Sequence, residues 1–301
     1  MSETNASAAR AAAVQTAFPS GFSAIAEGYD VVLCDVWGVL HNGLTAYPGA
    51  SDALTRFRRA GGTVILVSNA PRPGTKVMEQ LDRLGVPRTA YDDVVTSGDM
   101  TRMQVEARLD EPVFHLGPER DLPIFEGLPV RFADGESAAY VVCSGLLDDR
   151  SETPEDYRGL FERLRARDLP MICANPDIVV EVGDTLVYCA GALATLYEEM
   201  GGAATYMGKP HEPVYREALA RAARIRGAED VPVSRVIAIG DAIRTDVAGA
   251  RGIGASALFI AKGIHAEDLR LAGNGLDPAI AAPWFAEQAH QPDAAMEILV
   301  W

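Results

Sequence analysis

Four apolar runs along this chain close on polar side chains with chemical capacity. Asp35 ends "YDVVLCD", Ser68 and Asn69 end "TVILVSN", Lys209 stands in "ATYMGKP", and Asp241 ends "SRVIAIGD" with Asp246 shortly after it. Each has a plain alternative. Asp35 could bind a ribose or cap a helix, Ser68 and Asn69 could close a turn, Lys209 could be solvated, and Asp241 and Asp246 could be an N-cap and a first-turn acid. Their shared placement favours chemistry, because parallel α/β sheets bind ligands beyond the carboxyl ends of their strands.

Together they supply the parts of a phosphoryl-transfer site. A carboxylate nucleophile facing an anionic substrate needs a metal to offset repulsion, donors for the phosphate oxygens and a cation for the charge that develops. Asp35, Asp241, Ser68 and Lys209 are residues of those types. Two acids beside one anion call for a divalent ion between them, and hard oxygen ligands select Mg²⁺. Carboxylates of Asp35 and Asp241 with one backbone carbonyl would leave water and substrate positions open in an octahedral shell. Two residues past Asp35, where a second acid would help it, stands Trp37.

Short apolar runs alternate with amphipathic helical patterns, which predicts a doubly wound parallel α/β core of Rossmann-like type. After the first strand, Ala50, Ala53, Leu54 and Phe57 share a helical face that stops at Gly61 and Gly62. Pro73 opens a second helix lined by Val77, Leu81 and Leu84, and Gly85 ends it. "DVVTSG" reads as a third strand, with a helix from about Asp99 to Leu109. From 111 to 204 the spacing changes, with short strands in "EPVFHLG", "LPVRFAD", "AAYVVCSG" and "LPMICANPD" and a helix marked by Tyr157, Leu160, Phe161 and Leu164. This predicts a smaller α/β cap inserted through two short hinges into a core of residues 1–110 and 205–301. The core resumes with "ATYMGKP", a long helix through Tyr215, Ala218, Leu219 and Ala222, the strand before Asp241, and "ASALFIA" as one further strand. The glycines of Gly249 to Ser256 follow a helix and precede a strand, the reverse of a dinucleotide-binding turn.

Composition narrows the partners. With 42 acidic against 27 basic residues the net charge is −15, which repels nucleic acid and anionic membrane and leaves a small phosphorylated metabolite as the expected ligand. Cys34, Cys143, Cys173 and Cys189 show no C-x-x-C spacing and read as reduced, buried thiols. The N-terminal stretch lacks the basic start and apolar middle of a signal peptide, and no run approaches the roughly 18 apolar residues of a membrane span. A cytoplasmic protein is expected.

"DVWGVLHNG", "VSNAPRP", "GKPHEPVY" and "GDAIRTDVAGA" resemble the four motifs of the haloacid dehalogenase-like hydrolases, subfamily IIA, which includes nitrophenyl, pyridoxal and nucleotide phosphatases. The resemblance runs from about Tyr29 to Ile260, and "CANPD" and "CAGALATLYEEMGG" are similar to that subfamily's cap. It implies an Mg²⁺-dependent hydrolase of small phosphate monoesters working through an aspartyl-phosphate, with Asp35 as nucleophile, Ser68 and Asn69 at the phosphate, and Lys209 steadying both. It also implies Mg²⁺ on Asp35, Asp241 and the backbone carbonyl of Trp37, with Asp246 supporting Lys209 or a metal-bound water, and pairing as a homodimer. Asn175, Asp177 and the small residues of "CAGAL" are the cap candidates facing the metal, although Asn175 to Asp177 also suits an ordinary turn.

The departure is Trp37, which stands where such phosphatases carry the aspartate that protonates the leaving oxygen and later activates water. Losing a general acid and base costs on the order of 10² to 10⁴ in rate, so weak or specialised activity is expected. His41 is the nearest titratable stand-in, with a structural histidine as the alternative. Two other functions fit the residues: a non-catalytic module binding a phosphorylated metabolite, and a haloalkanoic acid dehalogenase, which would need no metal.

Overall fold

The computed structural model describes residues 16–182, 185–271 and 275–301. The leader-free N-terminal reading concerns mainly residues 1–15, which lie outside the described residues. Among the described residues no helix is long and apolar enough to cross a membrane.

After two 3-10 turns at Phe22–Ala24 and Ala26–Gly28 come β1 (Val31–Cys34), α1 (Pro48–Arg59), β2 (Thr63–Ser68), α2 (Gly74–Leu84), β3 (Asp93–Thr96) and α3 (Ser97–Glu106). β1 and β2 are apolar and largely β-branched and are buried along their whole length, as central strands of a sheet covered on both faces must be. Pro48 sits in the first turn of α1, where its missing N–H costs nothing, and Ala50, Ala53, Leu54 and Phe57 turn inward. Gly85 ends α2 in the left-handed conformation at φ 80°. α3 starts on a reciprocal cap: the Thr96 hydroxyl accepts from Asp99 N–H, and the Asp99 carboxylate accepts from Thr96 N–H.

The inserted unit contains β4 (Pro112–Leu116), β5 (Arg131–Phe132), β6 (Tyr140–Cys143), α4 (Arg158–Ala166), β7 (Met171–Cys173), β8 (Val179–Val182), β9 (Thr185–Tyr188), α5 (Ala190–Glu199) and β10 (Ala204–Tyr206). Five of its strands form a parallel sheet in the order β10-β7-β6-β4-β5, while β8 and β9 pair separately as antiparallel partners. β10 belongs here. It pairs with β7 from Ala204↔Met171 to Tyr206↔Cys173, so "ATY" edges the inserted sheet rather than reopening the core.

The chain then returns through α6 (Glu212–Arg226), β11 (Val236–Gly240), a π-helical turn at Ile243–Val247, α7 (Ala248–Ile253), β12 (Ser256–Ile260), α8 (Pro278–Ala286) and β13 (Ala294–Met296). The core sheet is parallel throughout, in the order β13-β12-β11-β1-β2-β3. β13 adds an edge strand beyond the one expected after β11. One apolar cluster on this sheet continues into the inserted unit, joining Val95, Met100 and Val105 to Val113, Ile124, Phe125 and Tyr140. A second fills the opposite face of the core, and a third lies within the inserted unit around Phe161, Leu193 and Tyr197.

Candidate active site

β1 and β11 are neighbours in register, so the residues that follow them, Asp35 and Asp241, emerge side by side at the carboxyl end of the sheet. Asp35 N–H still donates to Ile239 O at 2.8 Å, which fixes where its side chain leaves the strand. The π-helical turn after β11, a geometry frequent at functional sites, brings back Asp246. Oxygens of Asp35, Asp241 and Asp246 all lie within 4.8 Å of one another, and all three residues are buried.

Lys209 lies against this cluster. Its Nζ is 2.5 Å from Asp35 Oδ1 and 2.8 Å from Asp246 Oδ1, with only 3% of the residue exposed. The lysine arrives from the inserted unit, three residues past β10, not from the end of a core strand. Asn69 secures it: the Asn69 side-chain oxygen accepts from Lys209 N–H at 2.7 Å, and its amide donates to Lys209 O at 3.2 Å. Ser68 closes β2 beside them, and its hydroxyl accepts from Ala70 N–H at 3.2 Å.

The charges are unbalanced, with one ammonium for three acids. Burial pushes the Asp35 carboxyl up to about 7 against the pull of Lys209, with Asp246 pushing the same way. Burial, then Asp35 and Asp246, hold Asp241 well above the ordinary carboxylate range. For Lys209, burial works downward, but Asp246 and Asp35 prevail and keep it firmly protonated. A further cation of hard-oxygen preference would resolve the imbalance. The donor set fits one: a side chain at Gly38 (φ 78°) or at Gly263 would overlap the Asp241 carboxylate, so the backbone closes tightly around that acid.

Trp37 is half-buried and packs edge-to-face on His41, with ring centroids 4.9 Å apart, and a side chain at Gly43 would strike its indole. His41 is 1% exposed, and burial pushes it down to about 4. Its Nδ1 accepts from Gly43 N–H at 2.9 Å, which leaves the proton of the neutral ring on Nε2. A neutral imidazole with its lone pair already engaged props the loop and Trp37; it is not poised to move a proton.

Of the cap candidates, Asn175 and Asp177 reach the site. Asp177 Oδ1 accepts from the Asn69 amide at 2.9 Å, bridging the inserted unit to β2, and Asn175 Oδ1 accepts from Asp177 N–H at 3.0 Å. Asn175 thus also makes the local turn. The "CAGAL" stretch divides: Cys189 lines the cavity, while Ala190 and Leu193 pack into the inserted unit's own core. Gly191 is required there because the Pro176 and Asp177 carbonyls press on it.

Asp35, Ser68, Asn69, Asn175, Asp177, Lys209 and Asp241 open on one cavity of about 330 Å³. Its farther walls hold residues that the motifs did not mark: Arg72, Gln80, Asp121 and Ser144, and apolar side chains of β8 and β9. Arg72, inside "VSNAPRP" and three residues past Asn69, was the one signal available in the sequence.

A family model of haloacid dehalogenase-like hydrolases matches residues 32–130, and a second, described as HAD-hydrolase-like, matches residues 206–287. The haloacid dehalogenase-like hydrolase domain-containing protein 2 of Bos taurus is 30% identical over 236 residues, 77% of this chain and 84% of its own. A solved haloacid dehalogenase-like family hydrolase from Brucella suis 1330 is 47% identical with a TM-score of 0.83, covering 94% of this chain and 100% of that one. A p-nitrophenyl phosphatase from Archaeoglobus fulgidus, 22% identical, shares the fold at a TM-score of 0.68 over 90% of this chain and 96% of its own. With the motifs in order and their side chains gathered at one end of the sheet, this chain belongs to the haloacid dehalogenase-like hydrolases.

Proposed function

We propose that the protein is a divalent-metal-dependent phosphatase of small phosphate monoesters, working through an aspartyl-phosphate on Asp35. One observation carries this reading: Asp35, Asp241 and Asp246 converge within 4.8 Å, with the Lys209 ammonium 2.5 Å from Asp35. That arrangement suits an anionic substrate only when a cation joins it. Asp35, Asp241 and the backbone carbonyl of Trp37 would hold the ion, Mg²⁺ by the hardness of the donors, with Asp246 supporting Lys209 at 2.8 Å, and when bound the ion would neutralise phosphate oxygens.

Asp35 attacks phosphorus, an Oδ–P bond forms, and the P–O bond to the leaving group breaks. Lys209 holds the attacking carboxylate and offers a fixed positive charge to the transferring phosphoryl group. The Ser68 hydroxyl and nearby backbone donors position that group. Water then attacks the acyl phosphate, returning Asp35 and releasing inorganic phosphate. Trp37 and the neutral His41 give the departing oxygen no carboxylic acid or imidazolium. Esters whose leaving group needs no proton, such as aryl or acyl phosphates, should therefore turn over best.

The test is phosphate release across a panel of monoesters with Mg²⁺, run on the wild type and on Asp35→Asn. Turnover in the wild type, abolished by Asp35→Asn and by chelation, supports the reading. Equal turnover in Asp35→Asn would remove the nucleophile, and indifference to chelator would remove the metal.

A further inference from the structure

The cavity wall away from the carboxylates contains a charged group with unmet bonding capacity. Arg72 Nε is buried, and its N–H has no hydrogen-bond acceptor among the described residues. Its nearest ion partner, Asp121 Oδ1, lies at 3.9 Å, beyond hydrogen-bonding distance, while the other end of the guanidinium donates to Gln80 Oε1 at 3.1 Å. A buried N–H without an acceptor is costly even on a guanidinium that is a quarter exposed, so its retention points to a partner that arrives with a ligand.

The position is held firmly. Gly98 in the first turn of α3 lets the Arg72 backbone lie against it, since any side chain there would strike Arg72 N, C and O. Gly98 N–H donates to Ala70 O at 3.0 Å, and Gly74 N–H donates to Asp99 Oδ1 at 3.1 Å, so the segment is tied on both sides of Arg72. Arg72 therefore enters the cavity from a rigid loop that starts at Ser68 and Asn69, and reaches the wall built by Asp121 and Ser144 of the inserted unit.

We infer that Arg72 forms a second anion subsite, which receives a carboxylate or second phosphate on the leaving group of the substrate. Charge favours an anion over a neutral polyol. Arg120 is matched by Asp149 at 2.5 Å, whereas Asp121 stands 3.9 Å from Arg72 Nε without a hydrogen bond to it, so this guanidinium N–H is left to receive an incoming anion. A cavity of about 330 Å³ is small for a ligand site and suits a leaving group of a few carbon atoms. The inference rests on the phosphatase reading for what occupies the carboxylate end, and its test separates the two.

Four probes of one chain length serve: propyl phosphate, 3-hydroxypropyl phosphate, 3-phosphonooxypropanoate and propane-1,3-diyl bisphosphate. In the wild type with Mg²⁺, the two esters that carry a second anionic group should exceed propyl phosphate at least tenfold in kcat/KM, chiefly through KM. Arg72→Gln should bring that ratio near one and Arg72→Lys should leave an intermediate value. A ratio near one in the wild type, a preference for the hydroxypropyl ester, or a preference that survives in folded Arg72→Gln overturns the subsite; the wild-type series and Arg72→Lys decide the matter should Arg72→Gln not fold. The same four compounds are titrated calorimetrically into Asp35→Asn and into Asp35→Asn/Arg72→Gln. If neither these esters nor p-nitrophenyl phosphate is hydrolysed, the phosphatase reading falls, and tenfold tighter binding of the two esters with a second anionic group, lost in the double variant, still supports the subsite. Equal affinities, or no binding, refute it.

Discussion

Replacing Asp35 with Asn should abolish turnover and, in metal-free buffer, make the protein more stable. The carboxyl is 8% exposed and pushed up to about 7 from its ordinary 3.8, first by burial and then by Asp246, against the opposing effect of Lys209. Because the folded value lies above the unfolded one, the native state holds a proton that the unfolded chain has lost, and stability falls as pH rises through 7. The interval from 3.8 to about 7 is about three pH units, worth about 4 kcal/mol at 1.36 kcal/mol each. Relaxation around the site would leave roughly 2–4 kcal/mol of it, or a rise of about 4 to 8 °C in Tm for a chain of this length. Lys209 stays paired to Asp246 at 2.8 Å, so the substitution strands no cation. Thermal unfolding with chelator at pH 8 and at pH 5 provides the assay: the advantage of Asp35→Asn should be large at pH 8, shrink toward pH 5, and narrow when Mg²⁺ is added. A variant no more stable than the wild type at pH 8, or one whose advantage ignores pH, would refute the account of crowded, uncompensated acids.

Lys209→Met should behave oppositely, losing turnover and about 3–5 kcal/mol of stability, because it leaves the buried acids Asp35 and Asp246 without their cation; denaturant midpoints check this. Mg²⁺ at about 100 times its dissociation constant should stabilise the wild type by about 2.7 kcal/mol, and Asp241→Asn should remove most of that shift in a thermal scan. Trp37→Asp should raise turnover of alkyl phosphates on the order of 10²-fold by restoring an acid, with less gain on p-nitrophenyl phosphate, and should cost about 3 kcal/mol of packing; phosphate release and unfolding curves read both. His41, pushed down to about 4 by burial, stays neutral while the unfolded chain takes up a proton below about 6.5, so stability falls as pH drops from 6.5 to 4 by roughly 3 kcal/mol; His41→Asn should flatten that acid limb of the stability profile.

The core strands and their terminal acids were legible because buried parallel strands are written as continuous apolar runs, and a polar residue closing such a run stands out. Asp35, Ser68, Asn69 and Asp241 sit where those runs stop, beside one another in the sheet order. The source of Lys209 was less legible: three residues of β10 fit either sheet by composition, and only pairing with β7 decides between them. β13 is too short to show a pattern, and its place depends on β12. Arg72 and Asp121 were unreadable as a pair, since they are 49 positions apart and meet only after two sheets have formed. At "CAGAL", read as a cap stretch facing the metal, Cys189 lines the cavity while Gly191 admits the backbone of Pro176, a close approach that composition does not reveal.

The apolar cluster shared by the two units bears on how molecules enter. Parting them along it would return side chains such as Met100, Ile124 and Phe125 to water at about 1.5–3 kcal/mol each, so the upper storey is fastened to its foundation, not hung like a shutter. The strands β8 and β9 contribute Val180, Val182 and Val187 to the cavity wall, with Tyr188 beside them 41% exposed. With the storeys joined in this way, the greasiness of that wall would help sort which esters settle inside.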